Sequence, residues 1–205
     1  MDGRTKVAVI YYSATGITYQ MALAAVEGAE QAGAEVRLRK VRELAPEEAI
    51  RSNSGWHAHQ LETQDVMEVE LDDLTWADVV IFGTPTRYGV MAAQLKQFID
   101  TSGPLWSQGV LVNKVYAGFC STATTHGGQE ATLLSMFNVF YHWGGIVVTP
   151  GYVEPSQFIA GNPYGGSHTS NNGETAPDEV ARTATALTAR RAVQISTALR
   201  AGLAG

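Results

Sequence analysis

The chain has 205 residues, a length that suits one domain, or one domain with a large insertion, and excludes a multidomain machine. Its apolar share of 45% and charged share of 17% are those of a globular protein able to bury a core, and its 21 glycines carry no collagen period. A net charge of −6 with scattered Lys and Arg offers no basic stripe, which argues against nucleic acid and against anionic lipid as partners.

The chain opens M-D-G-R-T-K and runs straight into V-A-V-I-Y-Y, with no separate apolar segment and cleavage site, so the expected location is the cytoplasm. The longest apolar runs, Val7 to Tyr12 and Ile146 to Thr149, fall far short of the roughly 20 residues of a membrane helix. The first run reads as a strand, S-A-T-G-I-T (Ser13 to Thr18) as a turn, and Tyr19 to Ala32 as a helix ended by Gly33. Ile17, Met21, Ala25, Gly28 and Ala32 make a stripe of small residues suited to lying close on a sheet. Glu35 to Val41 alternates Val36 and Leu38 with Arg37 and Arg39, the pattern of an edge strand with one wet face.

The long connection Glu43 to Trp76 has room for a short helix near Pro46 to Arg51. Within it His57 and His59 read as solvated loop histidines, and Glu68, Glu70, Asp72 and Asp73 as a wet face. Apolar runs at Val79 to Phe82, Val115 to Cys120 and Ile146 to Thr149 read as central parallel strands. Helices are expected over Met91 to Thr101, Gln129 to Trp143 and Pro177 to Leu203, the last with acids in its first turn. Pro150 to Ala176, rich in Gly, Asn, Ser and Pro, reads as an arm, a lid or a disordered stretch. Cys120, the single cysteine, permits no internal disulfide, fits a reducing compartment and reads as a buried core residue.

Five strand signals alternating with helices define a single α/β domain over residues 1–205: an open parallel sheet with helices on both faces, order 2-1-3-4-5, the flavodoxin-like arrangement. Such sheets bind ligands at the carboxyl ends of their strands, and three loops there are unusual. In Ser13 to Thr18 the hydroxyls of Ser13, Thr15 and Thr18, with Gly16 and a helix start, suit a dianionic phosphate held without Lys or Arg; an ordinary N-cap is the bland alternative. G-x-x-x-x-G-K-[ST] and G-x-G-x-x-G are both absent, so a monophosphate fits better than ATP or a dinucleotide pyrophosphate. In G-T-P-T-R-Y-G (Gly83 to Gly89) two glycines and a proline leave backbone groups free for a planar ligand, and Arg87 is the one cation of the three loops. The third loop, Cys120 to Gly128, adds hydroxyls, two glycines and a histidine.

S-x-T-G-x-T resembles the flavodoxin phosphate loop for flavin mononucleotide (FMN). Taken with G-T-P-T-R-Y-G, G-P-L-W (Gly103 to Trp106), S-T-A-T-T-H-G-G-Q-E (Ser121 to Glu130), H-W-G (His142 to Gly144) and N-P-Y-G (Asn162 to Gly165), the chain from about Val7 to Leu199 resembles the WrbA family of NAD(P)H:quinone oxidoreductases. The resemblance implies FMN at the strand ends, a homotetramer, and transfer from NADH or NADPH to quinones. By motif it puts the phosphate on Ser13, Ala14, Thr15, Gly16, Ile17 and Thr18. Pro85, Thr86, Arg87, Tyr88 and Gly89, with Ser121, Thr122, Ala123, Thr124, Thr125, His126 and Gly127, border the ring system. It brings His142 to the flavin from a neighbouring subunit or its own, and Trp106 beside the quinone. The third loop departs from the family's S-T-G-T-G-G-G-Q-E at Ala123, Thr125 and His126 and is one residue longer. The implied scheme is a ping-pong two-electron reduction with no dedicated protein base, in which Arg87 and His142 tune the cofactor. The rivals are a flavodoxin-type one-electron carrier and a regulatory interaction protein.

Overall fold

The computed structural model describes residues 3–203. In chain order the first elements are β1 (Lys6–Tyr11), α1 (Ile17–Gln31), β2 (Glu35–Lys40), α2 (Glu47–Ser52), α3 (Ser54–Glu62) and α4 (Leu71–Trp76). They are followed by β3 (Val79–Arg87), β4 (Val90–Met91), α5 (Ala93–Asp100), α6 (Gly103–Ser107), β5 (Val115–Thr122) and α7 (Gln129–His142). The chain ends with β6 (Ile146–Val147), α8 (Pro155–Ala160), β7 (Gly166–Thr169) and α9 (Glu179–Leu203).

The sheet runs β2-β1-β3-β5-β6, all parallel, and is the flavodoxin-like order expected from the alternation. The numbering shifts only because β4 pairs back on β3 as an antiparallel hairpin, so the helix expected from Met91 begins at Ala93. Side chains alternate across the pleat, and each strand therefore feeds two cores. Ala8, Ile10 and Phe82 meet α5 and α7 on one face, where the Phe140 ring stacks on Phe82 at 5.7 Å and on Tyr116 at 4.9 Å. Val7, Val9 and Ile81 meet α1 and α9 on the other. The small-residue stripe of α1 serves this second face, and Gly28 on it lies against α9 rather than against a strand.

Three expectations are corrected. The arginine face of β2 is not wet: Arg37 and Arg39 reach the Asp73 carboxylate at 3.1 and 3.0 Å, and the Arg37 guanidinium lies 4.0 Å over the Trp76 ring. Asp73 is accordingly only 3% exposed, and its Oδ2 also accepts the Glu70 N–H at 3.0 Å in a capping box, whereas Glu68, Glu70 and Asp72 stay exposed. His59 is no loop histidine. It sits on α3, buried, with its ring 5.5 Å from Tyr19, whereas His57 on the same helix is exposed. The connection 43–76 thus holds the expected short helix as α2, and also α3 and α4.

The third correction concerns the last strand. β6 stops after two residues because Pro150 has no N–H with which to continue a ladder. The chain leaves the sheet, forms α8, and returns as β7, which pairs with β5 from Phe119 opposite Gly166 to Thr122 opposite Thr169. Gly165 and Gly166 permit the return: a Cβ at either would stand 2.2 Å from the Gly118 carbonyl or the Thr185 hydroxyl. The segment expected as an arm, lid or disordered stretch therefore carries the second half of the fifth strand. Arg191, donating to the Thr149 carbonyl at 3.0 Å, and Arg190, paired with Glu154 at 2.7 Å, tie its start to α9.

Candidate functional site

The carboxyl ends of β1, β3 and β5 converge on a cavity of about 330 Å³. Gly16 makes the first wall possible, because the turn from β1 into α1 needs its φ of +92°. Its N–H donates to the Ser13 hydroxyl at 3.1 Å. The first turn of α1 has neither a capping side chain nor an acidic residue, so its amides, beside the cavity at Ile17 and Thr18, are left without an intrahelical acceptor. Ser13, Ala14, Thr15, Ile17 and Thr18 line this side, and Thr18 shares a hydroxyl hydrogen bond of 3.0 Å with Ser121 at the end of β5.

Pro85, Thr86 and Arg87 form the second wall. The Thr86 hydroxyl is pinned by Thr132 at 2.7 Å and accepts the Gly89 N–H at 3.1 Å, which fixes the hairpin. Arg87 is exposed, and its Nη1 donates to the Thr86 carbonyl at 2.9 Å. Tyr88 and Gly89 do not line the cavity; Tyr88 stands fully exposed at the tip with φ +53°.

Ser121, Thr122 and Ala123 form the third wall, since β5 runs two residues beyond the apolar stretch that announces it. Thr124, Thr125, His126 and Gly127 turn away, held by the Thr122 hydroxyl and the Gly127 N–H, both of which donate to the Thr124 carbonyl. Cys120 is fully buried behind this wall, and burial, with Glu130 nearby, pushes its thiol well above the ordinary value, so it holds its proton.

Five lining residues escaped the sequence reading: Asn53, Trp56, Ser170, Asn172 and Gly173. Asn53 caps α3 by accepting the Trp56 N–H at 3.0 Å. The segment from Ser170 to Gly173 follows β7 and packs on the first wall, a Cβ at Gly173 falling 3.3 Å from the Thr15 hydroxyl. Ser170 N–H donates to the Thr122 carbonyl at 2.8 Å, and His168 Nε2 bonds the Thr175 carbonyl at 2.9 Å. The S-N-N-G sequence has the same hydroxyl, amide and glycine character as the other loops, a signal that was present but lay far along the chain.

Trp106 and His142 lie elsewhere. Gln129, at the start of α7, touches Thr122 at 3.1 Å, and His142 ends that helix about 20 Å further on at 1.5 Å per residue. The Trp106 indole N–H donates to the His142 carbonyl at 2.9 Å, and the two share a shallow depression with Val139 and Trp143. Within one chain, neither borders the first cavity. Among the described residues no group of His, Cys, Asp and Glu is arranged to hold a metal, and no helix is long and apolar enough to cross a membrane.

Residues 5–160 match the family described as NADPH-dependent FMN reductase. A Deinococcus radiodurans protein named NAD(P)H dehydrogenase (quinone) is 44% identical over 172 residues, 83% of this chain and 86% of that one. A protein of the same name from Aromatoleum aromaticum is 40% identical over 206 residues, covering 97% of this chain and 99% of its own. Among solved structures, a flavodoxin, WrbA-like protein from Agrobacterium tumefaciens superposes with a TM-score of 0.65 at 26% identity, covering 94% of this chain and 97% of its own.

Proposed function

Because this chain belongs to the NADPH-dependent FMN reductase family, we propose that it works as an FMN-dependent NAD(P)H:quinone oxidoreductase whose cofactor lies in the cavity at the ends of β1, β3 and β5. The observation that carries the placement is the first turn of α1, where the left-handed Gly16, itself outside the lining, starts a helix whose first amides have no intrahelical acceptor, and where Ser13, Thr15 and Thr18 line one space with no acidic side chain in that turn. These residues fit a phosphate monoester. When bound, FMN supplies the hydride and electron chemistry, accepting a hydride from NADH or NADPH and passing two electrons to a quinone.

The chain's own residues position and insulate. Ser13, Thr15 and Thr18, with the backbone from Gly16 to Thr18, hold the phosphate. Pro85 to Arg87 and Ser121 to Ala123 border the ring system, and Arg87 sets a permanent positive charge at the cavity mouth toward the nucleotide's phosphates or negative charge gathering on the ring. Nicotinamide donor and quinone use this one pocket in turn, a ping-pong order.

A homotetramer completes the site. The reading is supported by the exposure of Tyr152 (47%), Phe158 (68%) and Ile159 (75%) around α8, apolar side chains that a neighbouring copy would cover. It is also supported by the distance of Trp106 and His142 from their own chain's cavity, which leaves them to serve the quinone and flavin of another subunit. The enzyme works in the cytoplasm.

The test is a visible spectrum of the apoprotein titrated with FMN, then bleached anaerobically with NADH or NADPH and restored by benzoquinone. Thr15→Glu should weaken FMN binding at least about ten-fold by setting a carboxylate against the phosphate. A wild-type protein that takes up no FMN overturns the proposal.

A further inference from the structure

Beside the cofactor cavity, five donors converge on one carboxylate. Glu43, just beyond β2, accepts the Tyr12 hydroxyl at 2.9 Å and the Trp56 indole N–H at 3.1 Å on Oε2. Its Oε1 accepts the Gln94 amide at 2.8 Å and the backbone N–H groups of Leu44 and Ala45 at 2.8 and 2.9 Å. Gln94 Nε2 also donates to the Tyr12 oxygen at 2.9 Å, so the end of β1, α3 and α5 are knotted at one point. Burial pushes the Glu43 carboxyl up, but the hydrogen bonds from Ala45, Gln94, Tyr12 and Leu44 outweigh it and hold the group below its ordinary value. Burial and the neighbouring Glu43 push the Tyr12 phenol up, so the phenol stays a donor and the carboxylate an acceptor.

The consequence falls on Trp56. Its only polar atom is committed to Glu43, on one side of the ring, and the half-buried indole forms part of the cavity lining. It is the one aromatic side chain among the described residues that line that cavity; the others are small, hydroxyl, amide or aliphatic groups and Arg87. The indole N–H bond to Glu43, a carboxylate itself fixed by four further donors, and the Asn53 cap on the Trp56 N–H hold the ring at a fixed attitude in the lining where a planar cofactor is to lie.

We infer that Trp56 is a cofactor-contact residue, the aromatic wall of the flavin site, and that Glu43 is a positioning residue acting through it. The inference rests on the FMN reading above. Its weight comes from the juxtaposition: a helix supplying only structural packing needs neither a tryptophan in the cavity lining nor a five-donor anchor behind it.

The experiment titrates apoprotein with FMN and follows the emission of FMN itself, which an aromatic ring in contact quenches. In wild type the emission falls on binding. Trp56→Leu should raise the dissociation constant about ten-fold (about 1.4 kcal/mol), the scale of one lost stack, and leave bound FMN several-fold brighter than in wild type. Trp56→Phe keeps a ring without the N–H and should stay within about two-fold in affinity while remaining quenched. Glu43→Gln should give bound FMN of intermediate brightness. All variants are compared in a Trp106→Ala background, so that a tryptophan from a neighbouring copy does not mask the change in brightness. Wild-type affinity and brightness in Trp56→Leu would overturn the inference with the FMN reading intact. Equal loss in the Leu and Phe variants with a lowered melting temperature would overturn it too, leaving Trp56 a packing residue. Wild type that binds no FMN removes the reading itself.

Discussion

Gly28 of α1 lies so close to Ala186 of α9 that a β-carbon at position 28 would stand 2.2 Å from the Ala186 carbonyl oxygen. The contact is with backbone, which cannot rotate aside, and both helices are seated on the same face of the sheet. Gly28→Ala gains about 1 kcal/mol of helix propensity but forces the helices apart. A net loss of about 1–3 kcal/mol is expected in urea unfolding of the apoprotein, and an unchanged midpoint would refute the close approach.

His59 gives the chain an acid limit. Burial lowers its folded pKa below the ordinary 6.5, Lys40 adds to the lowering, and the hydrogen bond and charge of Glu62 oppose it. The unfolded chain therefore binds the proton more readily than the folded one. The stability due to the neutral ring is fully present above about pH 6.5 and lost as pH falls below it toward the folded pKa. His59→Gln, which cannot charge, should unfold at more nearly the same urea concentration at about pH 7.5 and about pH 5.5 than wild type does. An identical acid loss in both proteins would remove His59 as the cause.

Arg87→Ala is expected to separate binding from reduction. The side chain is exposed and its one hydrogen bond is to its neighbour's carbonyl, so stability should stay within about 0.5 kcal/mol. FMN affinity should hold, while reduction by NAD(P)H in stopped flow should slow about ten-fold or demand more nucleotide, as one lost charge-assisted contact would give. Wild-type reduction kinetics would deny the guanidinium any part.

Subunit mixing tests whether Trp106 serves a neighbour. Trp106→Ala retains the phosphate loop, and Thr15→Glu retains Trp106; each alone should be nearly inactive with quinone. Dissociated and reassembled together, they should recover about a quarter of wild-type activity, because half the chains bind FMN and half of those meet an intact neighbour. Activity no greater than the average of the two parents would place Trp106 outside any shared site.

The three strand-end loops were legible because each is local: an apolar run, then glycine and hydroxyls where the run stops. What escaped is non-local. Asp73 looks like surface until Arg37 and Arg39, far back in the chain, are laid beside it. His59 and Trp56 belong to a segment of no apolar period, and only the tertiary placement of α3 turns one into the sheet edge and the other into the cavity. β7 hid because G-S-H-T has no hydrophobic run; it is a strand by virtue of β5 and of glycines that admit it.

The divided fifth strand separates two properties that proteins usually vary together. Along β5, the partners of Val147 and Gly166 are Tyr116 and Phe119, near neighbours, and the whole excursion through α8 leaves and re-enters between them. Strand register is thus indifferent to the length of the excursion, and closing a longer loop costs only slowly more entropy. The protrusion, with its exposed Phe158 and Ile159, can therefore be lengthened, trimmed or redecorated while β7 keeps its register on β5 beside the cavity. For the same reason it is the natural splice point for a grafted peptide or a pair of relocated chain ends.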